Sequence, residues 1–171
     1  MDAIECMLTR HSTKKFLPTA VSREDLDCIL RAGLAAPSGK NAQAAIFLCV
    51  TDKALRDRLA ALNAKFLGRD CDPFYGAPCV IVVLADKAAF TAVYDGSVAM
   101  ENLQLAAHAR GLGACWIHRA KEMFESDEGK AILKECGIEG DYEGVGNCIV
   151  GHPAAEGSTK PVRDGRLYII E

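Results

Sequence analysis

Cys79-Val80-Ile81-Val82-Val83-Leu84 is the most strand-like run in the chain, and together with the segments on either side it decides the fold. Asp86 ends the run, and from Lys87 or shortly after an alanine-rich stretch continues to Arg110, where Gly111 supplies a left-handed helix stop. Ala114 to Ile117 is extended again. Upstream, Ser22 stands before Arg23-Glu24-Asp25 and the apolar series Leu26, Ile29, Leu30 and Leu34, which predicts a capped helix ending near Ala35, ahead of Pro37. Ile46 to Thr51 is short and apolar on both faces, like a buried strand. Asp52 caps a further helix whose Leu55, Leu59, Leu62 and Phe66 recur at helical spacing, and Asp70 to Pro78 reads as an irregular loop. Downstream, Ser126 caps a helix ending at Gly137, Val145 to Val150 is a strand, and Arg166 to Ile170 is extended. Helices and strands alternate without an internal repeat, an α/β rhythm. The small residues of the long helix (Ser97, Ala99, Ala106, Ala107, Ala109) allow close approach and predict a buried or subunit-contacting role.

At 171 residues the chain is expected to form one domain over 1–171. Half of its residues are apolar and a quarter charged, which excludes disorder and collagen and leaves enough core to fold without metal or disulfide staples. The net charge of −3 comes from scattered groups, so neither nucleic acid nor an anionic membrane is an expected partner. The longest apolar stretch, Ala77 to Ala85, is far shorter than the ~20 residues that span a bilayer. Met1 to Cys6 is acidic and helix-like, without the order of an export signal, which points to the cytoplasm. The eight cysteines are far apart and form no Cys-x-x-Cys pair. Cys28, Cys49, Cys79, Cys115 and Cys148 sit in apolar segments and are expected as core thiols. The four histidines lack ligand spacing, so no metal site is expected.

Three segments could carry chemistry. Arg10-His11-Ser12-Thr13-Lys14-Lys15-Phe16 places cations and two hydroxyls together, as a phosphate requires, although a solvated basic turn reads the same way. Ala36-Pro37-Ser38-Gly39-Lys40-Asn41-Ala42-Gln43 holds two carboxamides, each both donor and acceptor, before a strand; it is also ordinary turn chemistry. Gly111-Leu112-Gly113-Ala114-Cys115-Trp116-Ile117 carries the only Trp on a helix-to-strand passage. No Rossmann fingerprint, phosphate-loop lysine or nucleophile elbow is present.

Taken in order, Arg10-His11-Ser12 with Lys14 and Phe16, Ala36-Pro37-Ser38-Gly39 with Asn41 and Gln43, Ala77-Pro78, Asn102-Leu103 running to Gly111-Leu112-Gly113 and Trp116-Ile117, and Val150-Gly151-His152-Pro153 resemble the FMN-dependent nitroreductase family over almost the whole chain. The resemblance implies an α+β domain, a central mixed sheet flanked by helices, forming a homodimer with FMN at the subunit interface. By the same resemblance, Arg10 and Ser12, with His11 between them, hold the flavin phosphate. Lys14 lies near the pyrimidine side of the ring, Asn41 lies beside it, Gln43 joins the cofactor-binding set one place before the family's usual Pro-Trp, and Pro37 and Ser38 come from the partner. Trp116 and Ile117 bring backbone to the ring, and Arg163 with Lys160 completes the phosphate clamp. His11 stands where a second Arg is common, and Ala44-Ala45 replaces the usual Pro-Trp, removing bulk beside the flavin pocket. The implied activity is ping-pong electron transfer from NADH or NADPH through FMN to a small organic acceptor such as a nitroaromatic or quinone, with no catalytic side chain. Dehalogenase, azoline oxidase and flavin-degrading chemistries share the fold, and a non-catalytic FMN-binding module is the rival from another class.

Overall fold

The computed structural model describes residues 1–159 and 161–171. Its helices are α1 (Ala3–Thr9), α2 (Arg23–Leu34), α3 (Lys53–Leu67), α4 (Ala92–Ala109), α5 (Ala120–Glu125) and α6 (Asp127–Glu135), and its strands β1 (Ala45–Val50), β2 (Cys79–Asp86), β3 (Gly113–Ile117) and β4 (Tyr142–Gly151). The strands form one sheet in the order β1-β2-β4-β3, each neighbouring pair antiparallel. The architecture is therefore α+β, and the α/β alternation of the sequence does not translate into parallel crossovers. Among the described residues, parallel pairing is confined to an isolated bridge between Ser12 and Ala114.

β2 is apolar from Cys79 to Ala85 because helices cover both faces of the sheet. Cys79, Ile81, Val83 and Ala85 pack in a core with Leu26 and Ile29 of α2 and Met100, Leu103 and Ala107 of α4. Val80, Val82 and Leu84 alternate to the other face and meet Leu59 and Leu62 of α3, Met123 and Phe124 of α5, and Ile132 of α6. A bulge in β4 opposite Val83 and Leu84 leaves Val145 as the extra residue. Val145 docks on Gly96 of α4, where an added Cβ would lie 2.5 Å from its Cγ2.

The predicted caps are formed: Ser22 Oγ accepts from the Asp25 amide at 3.1 Å, Asp52 Oδ1 from Leu55 at 2.8 Å, and Ser126 Oγ from Gly129 at 3.1 Å. Gly111, at φ 74°, follows α4 as the left-handed stop. Several expectations need correction. β1 is a half-buried edge strand rather than a fully buried one, since it has a neighbour on one side only. α4 begins at Ala92, because 87–91 is taken up by turns. Cys28 is exposed: two residues after buried Leu26, it is rotated ~200° from the core-facing side of α2. The tail around Arg166 to Ile170 forms no strand and is exposed. α5 has no counterpart among the expected elements; it is six residues long and starts from left-handed Arg119 (φ 77°) without a side-chain cap.

Candidate functional site

The segment after α1 is stitched to the sheet at both ends. The Thr13 amide donates to Ala114 O at 2.9 Å, the Leu17 amide to His152 O at 2.8 Å, and the Ala154 amide to Lys15 O at 3.0 Å. Thr13 is buried against Gly113, where a Cβ would sit 2.6 Å from the threonine side chain, while Ser12 and Lys14 on either side are exposed. An extended chain alternates its side chains, so anchoring Thr13 inward turns Ser12 and Lys14 outward beside β3.

Arg10 is positioned by α4, its Nε lying 3.3 Å from Glu101 Oε1. That contact is an ion pair and leaves the N–H donors of the guanidinium available. His11 stacks edge-on with His108, ring centres 5.8 Å apart, and packs so tightly on Gly157 that a Cβ there would lie 1.7 Å from His11 Nε2. Thr9 Oγ1 donates to Glu5 O at 2.7 Å and therefore accepts from His108 Nε2 at 2.8 Å, which places the proton on that nitrogen. Burial, with the positive neighbours His11 and Arg10, holds His108 below the ordinary histidine range.

Lys14 Nζ lies 5.8 Å from the centre of the Tyr75 ring, a cation–π contact. Tyr75 adopts φ 53° and is 43% exposed, on the loop between α3 and β2. Asp72 shapes that loop, accepting from the amides of Phe74 at 2.9 Å and Gly76 at 2.8 Å and from Arg56 Nη2 at 2.6 Å. Neither Tyr75 nor Glu101 stands out as a site residue in the sequence. The Asp-x-x-Tyr-Gly turn signal was available for the first; nothing local marked the second.

The Pro37 to Gln43 turn is held elsewhere on α4. The Gly39 amide donates to Asp95 Oδ1 at 3.0 Å, and Thr91 Oγ1 donates to Asp95 Oδ2 at 3.0 Å. Ser38 Oγ accepts from the Gln43 amide at 2.9 Å, and Gln43 Nε2 donates to Asn41 Oδ1 at 3.1 Å. Lys40, Asn41 and Gln43 all have φ near +50°, so the turn is strained and aims its carboxamides outward. Asp95 and Glu101 are six residues apart, ~9 Å along the helix and about 120° around it. One chain therefore presents the Arg10 cluster and the carboxamide turn on different flanks of α4.

Trp116 lies across Gly146, with its Nε1 2.2 Å from where a Cβ would be, and is 37% exposed. Ile117 is partly buried, and the junction beyond it is fixed by Asn63, whose Nδ2 donates to His118 O at 2.8 Å, with Asn147 beside it. Arg163 lies on the exposed tail and makes no ion pair with another described residue; Lys160 lies outside the described residues.

The nitroreductase family model matches residues 7–70 and 65–152, which takes in both the Arg10 cluster and the carboxamide turn. The chain belongs to the nitroreductase family. A relative from Methanothermobacter thermautotrophicus, which carries the provisional name NADH dehydrogenase/NAD(P)H nitroreductase, is 30% identical over 125 residues, 68% of this chain and 60% of its own length. The chain thus spans less than two thirds of that relative. The crystal structure of a Bacteroides fragilis nitroreductase shows the same fold, with a TM-score of 0.91 at 24% identity and full coverage of both chains. An FMN-dependent nitroreductase from Clostridium difficile superimposes with a TM-score of 0.82 at 28% identity, covering 98% of this chain and 99% of that one. The nitroreductase fold expected from the motifs is therefore present, with its parallel component reduced to the Ser12–Ala114 bridge.

Proposed function

We propose that this chain, as a single domain over 1–171, is an FMN-dependent oxidoreductase that takes electrons from NADH or NADPH and passes them to a small organic acceptor such as a nitroaromatic or quinone. The observation that carries the reading is the donor set Arg10-His11-Ser12, held at the sheet edge by Thr13 and followed by outward-facing Lys14. A guanidinium with unengaged donors, an imidazole and a hydroxyl on consecutive residues fit a terminal phosphate monoester, and the glycine backbone at 157 closes on His11 where a side chain could not. The names of the Methanothermobacter and Clostridium relatives support the donor and the cofactor.

Bound FMN would supply reversible two-electron transfer between a nicotinamide and an organic acceptor. Arg10, His11 and Ser12 would bind its phosphate, Lys14 would face the pyrimidine side of the ring, and Trp116 and Ile117 would offer backbone along it. Asn41 and Gln43 would lie beside the ring, and Pro37 and Ser38 would come from a second copy, in keeping with the place of their turn on a different flank of α4. Exposed apolar residues on α1 (Ile4, Met7, Leu8) and α4 (Tyr94, Val98) support a homodimer. Arg163 and Lys160 would complete the clamp. The eight unpaired thiols favour a cytoplasmic setting.

The test is anaerobic. Purified protein should carry noncovalent FMN, lose its yellow colour with NADH or NADPH, and regain it on adding an acceptor, with parallel double-reciprocal plots. FMN that stays oxidised with both donors would leave a binding module without this activity. Sedimentation should show a dimer, and a stable monomer that retains FMN would exclude the shared site.

Lys14 gives a separate expected outcome. A cation beside the ring favours the more negative reduced flavin, so Lys14→Met should lower the two-electron potential by about 30 mV or more, the equivalent of ~1.4 kcal/mol. An anaerobic redox titration of the FMN-loaded variant checks this. An unchanged potential would make Lys14 a solvated surface lysine.

A further inference from the structure

Away from the Arg10 cluster, a cleft of about 900 Å³ opens between the loop before α2, α2 itself, the end of β1 and the start of α3. Cys49 lines it alongside Val21, Leu26, Leu30, Arg23 and Pro78. Behind Cys49, and 1% exposed, lies Cys79, with its Sγ 3.8 Å away. Nothing in the proposed flavin chemistry uses this pair.

We infer that Cys49 and Cys79 form a thiol–disulfide exchange site, in which Cys49 attacks a small disulfide admitted by the cleft and Cys79 resolves the adduct into a Cys49–Cys79 bond. Three features of the geometry support this. The two sulfurs are in contact across adjacent strands, as attack and resolution require. Only one of them borders the cleft, which sets the order. Cys49 lies opposite Ile81 in the β1–β2 ladder, which makes Cys79 its diagonal neighbour, so rotation of the two side chains with a small shift of edge strand β1 closes the sulfurs from 3.8 Å to the ~2.05 Å of a disulfide. The remaining His, Cys, Asp and Glu side chains do not complete a metal-binding group with the pair among the described residues.

Electrostatics favours the same order. The contact with Cys79, in which either thiol can be the donor, pulls the Cys49 thiol below its ordinary value against the opposing effect of burial, with Arg23 adding to the lowering and Asp27 opposing it. Cys79 is pushed up by the same contact and by burial. The thiolate at Cys49 is the nucleophile. It bonds to one sulfur of R–S–S–R and expels R–S⁻. Cys79 then gives up its proton, bonds to Cys49 Sγ and expels the second R–S⁻. The pair loses two electrons and two protons, and the small disulfide becomes two thiols.

The test uses the full chain, reduced, desalted and treated without oxygen with oxidised glutathione, then mapped as unreduced peptides. The expected result is a Cys49–Cys79 linked peptide with loss of both thiols, reversed by dithiothreitol. Cys79→Ser should accumulate a glutathione adduct on Cys49, and Cys49→Ser should leave Cys79 a free thiol. The inference is overturned if exposed Cys28 and Cys71 are modified while Cys49 stays free. It is equally overturned if the wild-type adduct on Cys49 persists without transfer, or if Cys79 links to another cysteine. The wild-type map decides even if a variant fails to fold.

Discussion

Replacing Arg10 by alanine is expected to lower FMN affinity about ten- to hundredfold, the equivalent of ~1.5–3 kcal/mol for a lost charge-assisted hydrogen bond. The expected effect lies toward the upper end. Arg10 lies against Glu101, with its Nε 3.3 Å from the carboxylate. Removing the guanidinium deletes a donor and also leaves Glu101, 48% exposed, as an uncompensated negative charge near a dianion. Arg10→Ala with Glu101→Gln should therefore recover part of the loss, whereas Glu101→Gln alone should bind FMN at least as well as the wild type. Titration of apoprotein with FMN, followed by flavin fluorescence, measures all three. Equal affinity of Arg10→Ala and the wild type would remove Arg10 from the site and, with it, the main support for the phosphate clamp.

Arg56→Met should destabilise the protein by about 2 kcal/mol, or roughly 4–8 °C in Tm for a chain of this size. Arg56 is 8% exposed, a charged residue inside a helix that otherwise feeds the core. Its Nε donates to Ala77 O at 3.1 Å, its Nη2 to Asp72 Oδ2 at 2.6 Å, and its guanidinium lies 5.5 Å from the centre of the Phe74 ring. The cost falls below that of a fully buried pair because the Asp72 side chain is 38% exposed and solvent screens it. Asp72 adds a pH signature. Burial pushes its carboxyl up, but the Arg56 hydrogen bond and the amides of Gly76 and Phe74 outweigh burial and hold it below the ordinary carboxylate range. A carboxyl depressed in the folded state adds stability above its unfolded pKa of about 3.9 and loses it as pH falls through the lower folded value. The wild type should thus lose stability on acidification through that window, and Arg56→Met should lose less. Thermal melts at pH 7 and between about pH 4 and 2 compare the two. Parallel curves would mean that Arg56 does not set the Asp72 titration. The variant also loosens the loop that carries Tyr75, so it should disturb Lys14 without touching it.

The helices with strong caps were legible in the sequence because an N-cap is a local interaction: Ser22, Asp52 and Ser126 each satisfy an amide three residues on. α5 lacked such a cap, and the His118 carbonyl just before its left-handed Arg119 is held from a distance by Asn63 and Asn147, which no local pattern reveals. Arg10, Ser12 and Lys14 could be grouped from their order in the chain. The outward orientation of Ser12 and Lys14 depends on the Thr13 amide reaching Ala114 O, a bond between segments remote in the chain.

By itself, then, the sequence determined the run Cys79–Leu84 as a strand, the capped helices, the donor-rich segment at Arg10 and the likeness to nitroreductases, because each is carried by residue type and short spacing. Strand direction was decided only by the tertiary structure. An apolar run covered on both faces reads the same in a parallel or an antiparallel sheet, and the order β1-β2-β4-β3 depends on how the connecting segments pack. The exposure of Cys28, the contact between Cys49 and Cys79, the Glu101 partner of Arg10 and the Tyr75 ring beside Lys14 were likewise decided there. Each depends on distance between segments remote in the chain, which composition and periodicity do not encode.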